Sequence, residues 1–323
     1  MAADRRVAEG LEHLKEAEKC MKTSFFKWKA DYDGAASAYT KAGTCFKTAK
    51  SYDQARQAFL KAAECNVQNN VMFHAGKAYE QAGMMCKELN DLNRAAQLIE
   101  KAGHLYREHG VPDTAASTFD RVAKLLEPTN PQKSVEYYLI GSDITECEDR
   151  PRQAADFQKK AAKLLVRMGN YDRAVEVLKV EKKFQIEGEN GPEVSRVTVE
   201  LVLCQLARGD FVAAEKAYKD AYGIPGFTES DHCRELAELL DAYDENDQER
   251  LSSVAARPMF KFMDNDYAKL ARGLQAPGGG EGGKKKKAEL LDEGIEEGME
   301  EGQLENQEDG GGEDEDEFAG GLC

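Results

Sequence analysis

The chain has 323 residues, 41% of them hydrophobic and 32% charged, with a formal net charge of −16. That length allows two ordinary domains or one elongated array, and no run approaches the ~18 apolar residues of a membrane span. From Ala276 onward sixteen acidic residues face four lysines, so −12 of the −16 lies there and the rest is nearly balanced, which speaks against nucleic acid as a partner.

The first residues, MAADRRVAEGLEHLKEAEKC, are charged and helical in pattern and lack the apolar core of a signal peptide. Ala2 stands where myristoylation needs glycine, and no Asn-x-Ser/Thr site occurs. Together these features predict a cytoplasmic protein. Next comes KTSFFKWKADYD at 22–33, a basic stretch between two helical patterns. It carries Phe25, Phe26 and Trp28, the last being the one tryptophan in the chain.

From residue 31 the sequence repeats every twenty residues: DYDGAASAYTKAG, SYDQARQAFLKAA, VMFHAGKAYEQAG, DLNRAAQLIEKAG and VPDTAASTFDRVA. A small residue recurs at Ala35, Ala55, Ala75, Ala95 and Ala115, and four later comes Tyr39, Phe59, Tyr79, Ile99 or Phe119. Three further on stand Ala42, Ala62, Ala82, Ala102 and Val122. The spacing i, i+4, i+7 is one face of an α-helix. Each block holds about 15 residues of helix and a short turn, and so short a turn sets consecutive helices antiparallel. The pattern weakens through 131–150 and returns one residue out of step at Ala154 and Ala174.

Each unit has apolar surface that only a neighbour can bury, so the units must stack. The expected fold is therefore all-α, a tetratricopeptide-like right-handed superhelical sheet of antiparallel helix hairpins over 1–208, with one concave and one convex face. Cys45, Cys65 and Cys86 recur near one position of the repeat and read as buried apolar packers rather than metal ligands.

Beyond residue 190, EVSRVTVELVLCQLARGD and FVAAEKAYKDAYG read as a further helix pair, and GIPGF at 223–227 is a break. HCRELAELLDAYDEND, QERLSSVAAR and PMFKFMDNDYAKLARGL read as three shorter helices, giving a C-terminal helical bundle over 209–275. Thirteen of the 28 glycines lie in 276–323. Such an acidic, glycine-rich tail cannot bury enough apolar surface to offset its ordering entropy and is expected to be disordered.

Catalytic signatures are missing. GGGEGGKKKK at 278–287 contains Gly-x-x-x-x-Gly-Lys, but Lys285 follows where a phosphate-binding loop needs Ser or Thr, and no strand precedes it. His104 and His109 are five apart, off one helix face. There is no Gly-x-Ser-x-Gly. The expectation is a binding scaffold and not an enzyme, with no cofactor, metal or small-molecule substrate.

Residues 51–106, SYDQARQAFLKAAECNVQNNVMFHAGKAYEQAGMMCKELNDLNRAAQLIEKAGHLY, resemble the helical sheet of the soluble NSF attachment proteins, and the resemblance covers about residues 5–275. AYEQAGMM, YGIPGF and PMFKFMDNDYAKL, with the GGLC terminus, look most like the gamma branch of that family. The resemblance implies an adaptor, peripherally associated with membranes, that binds assembled SNARE complexes and recruits and stimulates the AAA+ ATPase NSF for their disassembly in vesicle trafficking.

It also implies roles for particular residues. Phe25, Phe26 and Trp28 would be the apolar loop between the first two helices that touches the bilayer; the alternative is that the rings fold back onto the first helix pair. Lys159, Lys160 and Lys163, continued by Arg196, would grip the acidic SNARE surface. Ser117 sits where other isoforms have a lysine, a departure that bears on this grip. Asp210, Asp241, Asp244 and Glu245 would face basic residues of NSF, with Leu322 next to the terminal Cys323, where other isoforms have Arg. The alternative function is a tetratricopeptide-like scaffold for another protein partner.

Overall fold

The computed structural model describes residues 2–23 and 28–277. Among these residues the regular structure is helical, with no strand. After α1 (Ala2–Met21) come α2 (Tyr32–Thr48), α3 (Tyr52–Gln68), α4 (Met72–Glu88), α5 (Leu92–Glu108), α6 (Pro112–Leu126), α7 (Pro131–Cys147), α8 (Pro151–Arg167), α9 (Tyr171–Glu187) and α10 (Gly191–Ala207). The twenty-residue period is thus helix plus a reversal of three residues, with 17 residues in each of α2 to α5.

The reversals share one construction. The middle residue takes the left-handed region, with φ of 58° at Lys50, 59° at Asn70, 60° at Asn90 and 81° at Gly110. The following amide then reaches back five residues, Ser51 N to Phe46 O at 2.8 Å and Asp91 N to Cys86 O at 2.9 Å. This is the hydrogen bond that closes a Schellman motif. Asp91 and Asn170 next accept the amides of Arg94 and Arg173 and so start the following helix.

Between α6 and α7 the construction changes. Pro128 has no N–H to extend the ladder, α6 stops after 15 residues, and Asn130 N bonds Leu126 O at 2.7 Å. No residue of this turn takes the left-handed region. From the start of α6 to the start of α7 is 19 residues, one fewer than in the preceding units, because the shortened helix outweighs the longer turn; this is the physical source of the register slip at Ala154.

Small residues set how closely the helices stack. Ala35, Ala55, Ala75, Ala95 and Ala115 are fully buried. At Gly43 an added Cβ would lie 2.7 Å from the Phe59 ring, and at Gly141 2.6 Å from that of Phe157. The ring on one helix fills the notch left by glycine on the helix before. Fully burying each such ring contributes about 1.5–3 kcal/mol.

Polar bonds between helices two apart sort the array into two layers. Lys47 to Gln81 (3.3 Å) ties α2 to α4, and Arg121 to Glu80 (2.5 Å) ties α6 to α4. Lys160 to Asp120 (2.5 Å) and Lys159 to Glu193 (3.3 Å) tie α8 to α6 and to α10. In the other layer Lys133–Glu100 and Lys183–Glu146 join α7 to α5 and to α9.

The C-terminal part comprises α11 (Phe211–Lys219), a 3-10 turn at Asp220–Gly223, α12 (Asp231–Asp244), α13 (Gln248–Ala255), α14 (Pro258–Lys261) and α15 (Asn265–Arg272). The stretch expected as one helix from Pro258 is divided, because Asp264 caps a new start by accepting the Asp266 amide. At the expected break, Gly226 has φ 78° and Phe227 is fully buried. α15 packs on both α8 and α10, so this helix folds back over the even-numbered layer. α10 is therefore covered on nearly every side. Its run Val197–Leu206 is buried throughout, the polar Thr198, Glu200 and Gln205 included. One contiguous core runs from Ala17 to Ala276.

Candidate functional site

Phe25 and Phe26 lie outside the described residues. Trp28 is described and is 84% exposed. The segment that carries it begins and ends at one place, because Asp31 N bonds Cys20 O at 3.0 Å. This bond pins the base of the segment to the end of α1. No helix among the described residues is long and apolar enough to cross a membrane.

The basic residues expected to form one grip have two different fates. Lys159, Lys160 and Lys163 sit on α8, partly exposed, and each faces a carboxylate: Glu193 at 3.3 Å, Asp120 at 2.5 Å and Asp264 at 2.7 Å. Lys160 also lies 5.2 Å from the Phe157 ring centre. Arg167, one turn beyond Lys163, makes a two-pronged contact with Asp266, through Nε at 3.1 Å and Nη2 at 2.9 Å. Two of the four cations on this face are thus held by α15. The sequence reading did not single out Arg167, Asp264 or Asp266, which lie about a hundred residues apart along the chain.

Arg196 points inward instead of continuing that face. Its side chain is 21% exposed and donates to Glu193 at 2.7 Å, to Glu181 at 2.7 Å, and to Glu200. Glu181 and Glu200 are themselves buried, and one oxygen of each has no hydrogen-bond partner among the described residues. Burial drives both carboxyls above their ordinary range, while Arg196 pulls them back. The buried Tyr267 of α15 lies within electrostatic reach of both. With its charge engaged internally, Arg196 positions α9 against α10 and offers an approaching partner little.

The expected acidic group gathers at one end of the fold. Asp210 caps α11, accepting the Ala213 amide at 3.0 Å. Asp241, Asp244 and Glu245 are exposed at the end of α12. Tyr243, between them in sequence, turns inward, donates to Leu206 O at 3.3 Å and stacks on Phe211 with ring centres 6.0 Å apart. That anchor brings the end of α12 to the α10–α11 turn that holds Asp210. Arg250 pairs with Glu245 at 2.6 Å; no ion pair within the described residues neutralises Asp241 or Asp244. The carboxyl end of a helix already carries partial negative charge, so carboxylates there raise the local field rather than relieve it. Leu322 lies outside the described residues.

Comparison with known proteins bears on the whole array. A family model described as soluble NSF attachment protein, SNAP, matches residues 8–258, from the middle of α1 to the start of α14. A gamma-soluble NSF attachment protein of Dictyostelium discoideum is 32% identical over 266 residues, 82% of each chain. One of Arabidopsis thaliana is 27% identical over 156 residues, 48% of this chain and 53% of its own. Among solved structures, BtubC from P. vanneervenii aligns at 15% identity and TM-score 0.37 over 71% of this chain and 93% of its own. A signal-transduction ATPase with a tetratricopeptide repeat sensor from Pyrococcus horikoshii aligns at 14% and 0.40, over 92% of this chain and 43% of its own. Those structural likenesses are loose, and the repeat fold rests on the chain's own helices and turns. The sequence match, by contrast, runs through every repeat and into the acidic end of α12, and on it the chain belongs to the soluble NSF attachment protein family.

Proposed function

We propose that this protein is a non-catalytic adaptor that binds assembled SNARE complexes at a membrane surface and recruits and stimulates NSF to take them apart. The observation that carries this reading is the end of α12, where Asp241, Asp244 and Glu245 stand exposed beside Asp210. An acidic cluster in which Glu245 pairs with Arg250 while Asp241 and Asp244 have no ion pair among the described residues suits salt-sensitive recruitment of a basic partner. Lys159, Lys160 and Lys163 supply the opposite charge on α8. An acidic helical bundle would engage them by exchanging for their present carboxylates, each exchange being worth little alone. Trp28, with Phe25 and Phe26 beside it in sequence, provides apolar side chains for reversible contact with lipid, and neighbouring lysines add attraction to anionic headgroups.

The test is a pulldown of NSF by the purified protein with and without a SNARE complex. Reversing Asp241, Asp244 and Glu245 to lysine is expected to abolish NSF recruitment and leave SNARE binding intact. Retained recruitment would remove the acidic end from the interface. Separately, Phe25→Ser with Phe26→Ser is expected to weaken binding to anionic liposomes with helicity unchanged.

A further inference from the structure

The first hairpin carries a cluster that the adaptor reading does not use. Glu9 and His13 are four residues apart and therefore share one face of α1. Cys45 of α2 stands opposite them. One donor atom from each, an oxygen, a nitrogen and a sulfur, lie within 4.8 Å of one another. The thiol is largely shielded, Cys45 being 8% exposed, whereas Glu9 and His13 open toward solvent. An ion could therefore enter from the α1 side.

The frame around the cluster is stiff. Gly10, next to Glu9, meets Phe46, next to Cys45, so closely that an added Cβ would lie 2.8 Å from the ring. α1 and α2 approach here as nearly as glycine permits. The His13 ring is also oriented: its Nδ1 lies 3.2 Å from Glu16 Oε2, which leaves Nε2 to face away from that carboxylate. A histidine held by a carboxylate through one nitrogen is the usual support for metal binding through the other.

The donor set selects the ion. A thiolate, an imidazole and a carboxylate suit zinc, and the sulfur disfavours magnesium and calcium. Tetrahedral zinc with bonds of about 2.0–2.3 Å spaces its ligand atoms roughly 3.4–3.6 Å apart. The donors, within 4.8 Å of one another, must draw together by up to about 1 Å to reach that spacing. Arg6, which bridges Glu9 at 3.1 Å in an exposed pair, must swing away, a small cost for a surface contact.

We propose that Glu9, His13 and Cys45 bind a zinc ion, with water in the fourth position, and that the ion staples α1 to α2. Binding releases the thiol proton to solvent and leaves a zinc–thiolate bond, with no redox change. The location gives the staple a purpose. Among the described residues α1 packs chiefly on α2, and in a stacked array each unit is stabilised through its contact with its neighbour. It also anchors one end of the Trp28 segment, whose base is the Asp31–Cys20 bond.

The experiment titrates cobalt(II) into the metal-free, reduced full-length protein and then adds zinc. One equivalent of cobalt should produce a thiolate-to-cobalt charge-transfer band and visible bands of tetrahedral intensity, and zinc should abolish both. Carboxylates of the acidic tail can bind cobalt but cannot give the charge-transfer band. Cys45→Ser should remove that band, while a Cys147→Ser, Cys323→Ser variant should keep it. His13→Gln, on a partly buried side chain, should weaken binding at least tenfold with helicity unchanged, and Glu16→Gln about tenfold through the ring it holds. Zinc should raise the melting temperature of the parent and not that of His13→Gln. Absence of the band in the parent, its survival in Cys45→Ser, or unchanged affinity in His13→Gln would each overturn the site.

Discussion

Arg196 donates to Glu181, Glu193 and Glu200, and one guanidinium cannot balance three ionised carboxylates when two of them are closed to water. Burial raises the affinity of Glu181 and Glu200 for protons, and Arg196 only partly opposes it. Lys159, Glu193, Cys204 and Tyr267 are the other titratable groups that face the pair. The linkage has a definite sign. The folded state holds protons that the unfolded chain has already lost, so this contribution to stability is complete below the ordinary carboxylate range. It is lost as pH rises through the raised folded values. Thermal melts should therefore fall as pH rises from about 4.5 to about 8. In Glu200→Gln, which keeps the shape and removes one titrating group, the fall should be smaller. Parallel melting curves for the two proteins across that range would mean that the buried pair stays ionised.

At the scale of the element, glycine-in-ring contacts space the helices more tightly than alanine could. Gly141 faces Phe157, which is 8% exposed and has no open side to move toward. Gly141→Ala is expected to destabilise by about 1–3 kcal/mol through overpacking, measured as a lower midpoint of denaturation. This outweighs the gain of up to about 1 kcal/mol in helix propensity that alanine brings at an unencumbered site. A stabilised variant would show that the two helices can part without loss. The turns have the opposite tolerance: Lys50 and Asn70 hold positive φ without glycine, because the hydrogen bonds on either side of them define the reversal.

At the scale of the molecule, α15 lies across the array and holds two of the cations proposed to grip an acidic partner. Lys163 faces Asp264 and Arg167 faces Asp266, so the chain's own carboxylates stand where those of the partner would arrive. The helix itself is fixed by the buried Tyr267, Ala268 and Ala271, and only the ion pairs can exchange. Asp264→Asn with Asp266→Asn should lower stability by no more than about 1 kcal/mol per pair. It should tighten SNARE-complex binding about fivefold and steepen its salt dependence. Unchanged binding would place the grip away from the Lys163–Arg167 end of α8.

The repeat was legible because stacking imposes a local period: small residue, ring and small residue at fixed spacing, each close in sequence to the residues it needs. The sequence therefore determined the helices, their antiparallel order and the register slip at Ala154, and the family resemblance carried the exposed acids of α12. It gave no sign that Arg196 turns inward, since a basic residue between Glu193 and Glu200 reads equally as a solvated face. Nor did it show that Asp264 and Asp266 meet α8, or that Cys45 joins Glu9 and His13. Those groupings arise only when α15 folds back across the stack and when α1 closes on α2. Charges and donor atoms act through space, and nothing in their order along the chain records which of them the folding brings together.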